Sequence, residues 1–199
     1  MSKITTRNLV LAALLIALQI VVVKFLSVET TIVRFDFGYI VSFTASAVLG
    51  PWLGMLVAFA ADILGVVLRG QIGVFFPGFT INAVLYALFY GLFFYKKKIT
   101  WYNVTICVVS SIALMGILLA PHWVFMYNTM LGTGINPLAE PLRFIAENNH
   151  RYITEEAKFD AILYTQLIKH LILIPIQIIT MKYIGQYLFP HILRYRNGK

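Results

Sequence analysis

The sequence predicts an all-α integral membrane protein, a single domain over residues 1–199 built as a bundle of six transmembrane helices. Three observations carry this reading. Hydrophobic residues make up 60% of the 199 and charged residues only 12%, about half the roughly 25% that soluble domains carry. Several apolar runs reach the ~20 residues a helix needs to cross a bilayer. The lysines and arginines flank these runs instead of gathering on one face. The net charge of +8 therefore reads as topology information and not as a nucleic-acid surface.

The spans cover roughly residues 8–27, 37–50, 51–69, 79–95, 101–127 and 161–184. The first, from Asn8 to Phe25, is too long for a signal-peptide core and no small-x-small cleavage site follows it, so it is expected to stay as a helix. The second is short. Gly50-Pro51 separates it from the third, because proline suits the first turn of a new helix. The fourth opens after Pro77-Gly78 and stops at Lys96-Lys97-Lys98. The fifth runs from Trp101 past Pro121, where a kink or a local break is expected. A long polar loop follows over about 128–160, and Asp160 is placed to cap the start of the last span. No internal repeat is present, so an inverted-repeat transporter is not supported.

Basic residues set the orientation. With the N-terminus inside, Lys3, Arg7, Lys96, Lys97, Lys98, Lys182, Arg194, Arg196 and Lys199 fall on the cytoplasmic side. Lys24, Arg34, Arg69, Arg143, Arg151 and Lys158 fall outside, thinly spread. The expected arrangement is a multi-pass protein of the plasma membrane with both termini cytoplasmic.

The phrase Phe75-Phe76-Pro77-Gly78-Phe79-Thr80 points to a site near one membrane face, because backbone freed by a Pro-Gly break must find partners in protein, water or ligand. Asp62 and Lys169 lie inside spans, where ionisable residues usually face the protein interior or a cavity. Lys169 reads as an anchor for an anionic ligand, with Arg34 at the loop mouth; the structural alternative pairs Lys169 with Asp62 or lets it snorkel. Offsets of three and eight put Gln166 and Gln177 on the Lys169 face, with His170 about a quarter-turn away. That polar stripe suits a hydrogen-bonding ligand or interhelical contact. Phe35, Phe37, Tyr39, Phe75, Phe76, Phe79, Trp123 and Tyr127 form a dense aromatic set. The rings beside loop Gly and Pro read as cavity lining; Trp101 and Tyr102 beside the lysine run read as an interfacial belt. Ala13-x-x-x-Ala17 and Gly50-x-x-x-Gly54 place small residues on one helical face, where another helix can approach.

Other chemistry is set aside. Gly70, Gly73 and Gly78 precede no Gly-Lys-Ser/Thr and make no phosphate loop. Cys107 is the one cysteine, and no His or carboxylate cluster has metal-ligand spacing. No cofactor is implied. Ser110-Ser111 has no adjacent base, and nothing supports catalysis or ATP hydrolysis by this chain. Uphill transport would draw on ions or partner subunits.

In order along the chain come Ala13-x-x-x-Ala17, Arg34-Phe35-Asp36-Phe37-Gly38-Tyr39, Gly50-Pro51-Trp52-Leu53-Gly54 and Ala61-Asp62-Ile63-Leu64-Gly65. Phe76-Pro77-Gly78-Phe79-Thr80 follows, and then Lys169 with Ile174-Pro175-Ile176-Gln177. With six spans, this set resembles the substrate-binding S component of an energy-coupling factor (ECF) vitamin transporter, of the folate type. The resemblance covers about the first hundred residues and the last span. It implies a subunit that captures a vitamin from outside and joins a transmembrane coupling protein and two ATPases. It places substrate against Arg34, Phe35, Phe37, Phe76, Phe79 and Lys169, adds Trp123 and Gln166 at the same site, and turns Ala13 and Ala17 toward the coupling protein. Three departures stand out. Gln166 replaces the usual arginine, Ala120-Pro121-His122-Trp123 replaces the usual Asn-Thr-Leu-Trp, and the 128–160 loop is longer. Losing a bidentate carboxylate partner makes pantothenate the alternative substrate to folate. A stand-alone ion-coupled transporter using Asp62 is the competing class.

Overall fold

The structure, a computed structural model, describes residues 5–26, 28–29, 34–35, 37–68, 75–130 and 155–197. The first helix, α1 (Thr6–Leu26), leads into a two-residue antiparallel ladder of β1 (Val28–Glu29) with β2 (Arg34–Phe35). Then follow α2 (Gly38–Leu49), α3 (Pro51–Leu68) and α4 (Pro77–Phe94). α5 (Trp101–Ser111) continues through a π-helical segment (Ile112–Leu119) into α6 (Ala120–Met130), and α7 (Glu155–Asn197) closes the described chain. Five stretches among the described residues are long and apolar enough to cross a membrane: α1, α3, α4, Trp101–Tyr127 and Ile162–Pro190. The sixth apolar helix, α2, has 12 residues and reaches only about 18 Å, short of a ~30 Å hydrocarbon core.

Local chemistry sets the boundaries. Gly50 ends α2 at φ +98°, a left-handed conformation that glycine adopts without a Cβ penalty, and Pro51 opens α3. Phe76 is extended before Pro77 at the start of α4, the position where a missing N–H costs nothing. Lys96 ends that helix at φ 58°, and the Lys97 Nζ donates to the Leu92 carbonyl at 2.9 Å. Thr100 caps α5 by accepting from the Asn103 N–H at 3.3 Å.

The interruption expected near Pro121 takes the form of the π segment just before it, which accommodates the carbonyl that the proline ring leaves unpaired. Two expectations are corrected. Asp160 does not cap the last span, because α7 starts at Glu155 and holds Asp160 in its second turn. That helix also runs past residue 184, through both Pro175 and Pro190. Of the expected loop from 128 to 160, the residues through Met130 and from Glu155 onward are helical; residues 131–154 lie outside the described residues.

The core gathers where α2, α4 and α7 meet. Phe43 meets Tyr90 and Phe94 edge to face at 6.1 and 5.1 Å, and stacks on Phe189 at 5.2 Å. Small residues bring helices together. A Cβ on Gly54 would stand 2.7 Å from the Ser46 Cα, and one on Gly91 would stand 2.5 Å from the Pro51 Cα. Gly54 of the Gly50-x-x-x-Gly54 pair therefore serves packing within the subunit. Because the Gly91 neighbour is rigid backbone, Gly91→Val is expected to lower the unfolding midpoint in detergent by about 5 °C or more. A thermal melt checks this, and an unshifted midpoint would show that α4 slides without cost.

On α1, Asn8, Leu15 and Gln19 are buried, one face at helical spacing. Ala13 and Ala17 are exposed, each two residues and about 200° from Leu15. Leu14 and Phe25 on this helix are 61% and 74% exposed.

Candidate functional site

A cavity of about 590 Å³ opens among α1, α2, α3, α4, α6 and α7, within the ~300–1,000 Å³ of small-molecule sites. Its aromatic end is built on the Pro77-Gly78 break. Phe76 and Phe79 lie 5.4 Å apart, and each meets Tyr127, at 5.9 and 5.4 Å. Trp123 packs behind Phe76 at 6.0 Å. Gly78 makes this possible: a Cβ there would touch the Phe76 ring and come within 2.6 Å of Trp123.

Below these rings the wall becomes polar. Gln19 of α1, Asn82 of α4 and Gln177 of α7 line the cavity, and the amide oxygen of each is buried with no hydrogen-bond partner among the described residues. Gln19 and Gln177 are each only 8% exposed. Buried amides without partners cost free energy, so three of them around one cavity point to a ligand that supplies the missing bonds. The charged lining residues are Lys24, Asp62 and Lys169. The Thr80 hydroxyl donates to the Asp62 Oδ2 at 2.5 Å.

At the far end the Tyr39 hydroxyl meets the Thr180 Oγ1 at 3.0 Å. The Thr180 hydroxyl itself donates to the Ile176 carbonyl at 2.8 Å, so Tyr39 is the donor. This contact places the start of α2 ten residues beyond His170 along α7, about 15 Å deeper. The short helix thus gives the cavity its depth, since a full-length span there would fill it.

His170 is held in one tautomer. Its Nδ1 lies 2.7 Å from the Gln166 carbonyl, which can only accept, so Nδ1 carries the proton and Nε2 is the acceptor. The ring packs against Gly116 in the π segment, where a Cβ would stand 2.6 Å from Nε2.

The site residues expected from sequence separate into groups. Phe76, Phe79 and Lys169 line the cavity. Trp123 supports Phe76 from behind, and Phe37 packs on Tyr39 at 6.4 Å. Gln166 reaches the site through its backbone bond to His170, and its own amide oxygen is buried without a partner among the described residues. The side chains of Arg34 and Phe35 lie outside the described residues, although their backbone forms β2. His170 joins Lys169 and Gln177 on the lining, nearer the cavity face than its quarter-turn offset implied. Gln19, Lys24, Asn82, Tyr86 and Tyr90 are lining residues that sequence reasoning missed. Phe79, Asn82, Tyr86 and Tyr90 follow a spacing of three, four and four, one face of α4; that polar-aromatic stripe was the available signal.

A multi-pass helical bundle with a deep, ligand-sized cavity at one end defines a membrane-embedded small-molecule-binding subunit. The comparisons with known proteins give the family. The model of the ECF transporter, substrate-specific component, matches residues 7–185, and the chain belongs to that family. It is a transport subunit and not an enzyme. The folate transporter FolT of Clostridium novyi (strain NT) is 36% identical over 111 residues, 56% of this chain and 64% of that protein. FolT of Leuconostoc mesenteroides subsp. mesenteroides is 34% identical over 129 residues, 64% of this chain and 69% of that one. The aligned stretch thus spans just under two thirds of the Clostridium protein's length. A crystal structure of FolT bound with folic acid superposes with a TM-score of 0.68 at 30% identity, covering 91% of this chain and 92% of that one. Family membership sets aside the ion-coupled transporter that Asp62 alone had suggested.

Proposed function

We propose that this chain is the folate-capture subunit of an ECF importer, binding the vitamin from outside and delivering it to an energising module of a coupling protein and two ATPases. The likeness to folic-acid-bound FolT over 91% of the chain carries the reading, and the cavity supports it. Rings at one end suit a flat heterocycle, unpartnered amides suit its polar edge, and two lysines suit the carboxylates. Folate leads over pantothenate because the similar proteins are folate transporters. In this reading Lys169 holds a carboxylate, Arg34 stands at the mouth, and Phe35, Phe37, Phe76 and Phe79 enclose the ligand. Trp123 fixes Phe76, and Gln166 acts through His170. Ala13 and Ala17 form the docking face, residues 1–199 act as one domain, and both termini lie in the cytoplasm.

The test is direct. The chain expressed alone is expected to co-purify with stoichiometric folate, read by mass spectrometry, and to bind folic acid in a calorimetric titration. Pantothenate binding with no folate binding would overturn the vitamin assignment while keeping the role. Lys169→Ala is expected to weaken folic acid binding by about tenfold or more, the loss of one charge-assisted contact. A folded variant with unaltered affinity would return Lys169 to a purely structural place.

A further inference from the structure

Folic acid carries its hydrogen-bond donors unevenly. Its glutamate end, once ionised, offers two carboxylates that only accept. Its pteridine end offers N3–H and the 2-amino group side by side, an adjacent donor pair. The cavity has a matching asymmetry. Asp62 is the acidic residue of the lining, and an ionised carboxylate only accepts. Thr80 does not line the cavity; it is buried at 5% exposure and donates to Oδ2. That bond fixes the carboxylate's position on the cavity lining. Asn82 on the neighbouring helix and Gln19 on α1 each add a buried amide oxygen that lacks a partner among the described residues. Lys24 and Lys169, on α1 and α7, supply only donors.

Resting on the folate reading, we propose that Asp62 is the specificity-determining residue that reads the N3–H and 2-amino edge of the pteridine ring, with Asn82 and Gln19 completing the donor-seeking subsite. Carboxylates placed there would face like charge and unpaired acceptors, whereas an amidine-like donor pair satisfies them. An ionisable residue inside a span is costly and is kept where a partner or cavity uses it. The Thr80 bond alone gives Asp62 a local partner; it does not explain why the carboxylate also faces a ligand-sized space beside unpartnered amides. The charges then orient the vitamin, with the pteridine against α3 and α4 and the glutamate toward the lysines.

The experiment pairs two ligands with two proteins. Wild-type chain and Asp62→Asn are titrated with folic acid and with 2-desamino-2-methyl folic acid, which lacks the amino donor. Wild type is expected to prefer folic acid by about tenfold or more, and Asp62→Asn to bring that preference below about threefold, since a charge-assisted bond outweighs a neutral one. Equal wild-type affinity for the two ligands overturns the proposal. So does an Asp62→Asn variant that weakens both ligands equally, the signature of a role confined to holding Thr80. Where Asp62→Asn does not fold, Asn82→Ala takes its place, and an unaltered preference overturns the subsite. Failure of wild type to bind folic acid at all overturns the parent reading, and this one with it.

Discussion

Tryptophan at Ala17, or at Ala13, is expected to reduce ATP-driven folate uptake to background while leaving folic acid binding by the isolated chain unaltered. Both alanines are exposed on α1 and point away from the buried Leu15 and Gln19 face. Lipid tails accept bulky side chains as readily as small ones, so a lipid-facing helix has no need of alanines four residues apart. A helix partner does, because association inside a bilayer relies on close backbone approach. A tryptophan there is neutral against lipid and clashes against protein. Neither alanine lines the cavity: Gln19 and Val23 line it from another side of the same helix, and Ile20 and Lys24, on the alanines' side, line it about one and two turns beyond Ala17. The measurement is uptake into proteoliposomes holding the full importer, beside calorimetry on the subunit alone. Variants that still assemble with the coupling protein and transport would show that another face docks.

Most of the bundle was legible because bilayer physics writes plainly into sequence. Apolar runs, lysine stops and the breaks at Gly50-Pro51 and Pro77-Gly78 mark where helices begin and end. The structure adds to the sequence reading, or departs from it, where a local pattern has two physical solutions. Pro121 can break a helix or follow a widened turn, and an apolar stretch such as Ile112–Leu119 carries no sign that distinguishes the two. The charged residues from Glu155 to Asp160 read as loop, yet they extend α7, since polar residues form helix readily once a helix continues beyond the apolar layer.

The candidate site was half legible for a related reason. Lys169, Phe76 and Phe79 announced themselves by charge inside a span or by rings beside a break. Gln19 and Asn82 did not, because one amide in an apolar helix reads equally as interhelical contact. Only the depth of the cavity tells the two apart. That depth arises from α2 beginning near the level of Thr180, a tertiary fact that no single helix encodes. Lys24 was read as a topology signal, and the structure also places it on the cavity lining.

Gly78→Leu is expected to weaken folic acid binding by about a hundredfold or more in a folded chain. The glycine sits where α4 starts, and the first carbon of any side chain there would enter the space held by Phe76 and Trp123. Three further carbons cannot be absorbed by small shifts, and overpacking of this kind costs up to about 3 kcal/mol. The bundle has an outlet for that strain. Phe79 is 38% exposed, and it and Phe76 border open cavity, so the rings can swing into the space proposed for the ligand. The penalty therefore falls on binding more than on folding. Trimming Trp123 to alanine in the same chain makes room behind Phe76 and is expected to recover at least part of the affinity; this non-additivity identifies a steric cause. Calorimetry on the two single variants and the double variant decides it. A folded Gly78→Leu chain that binds folic acid like wild type would mean the aromatic end of the cavity does not contact the vitamin, and the Pro-Gly break serves only to start the helix.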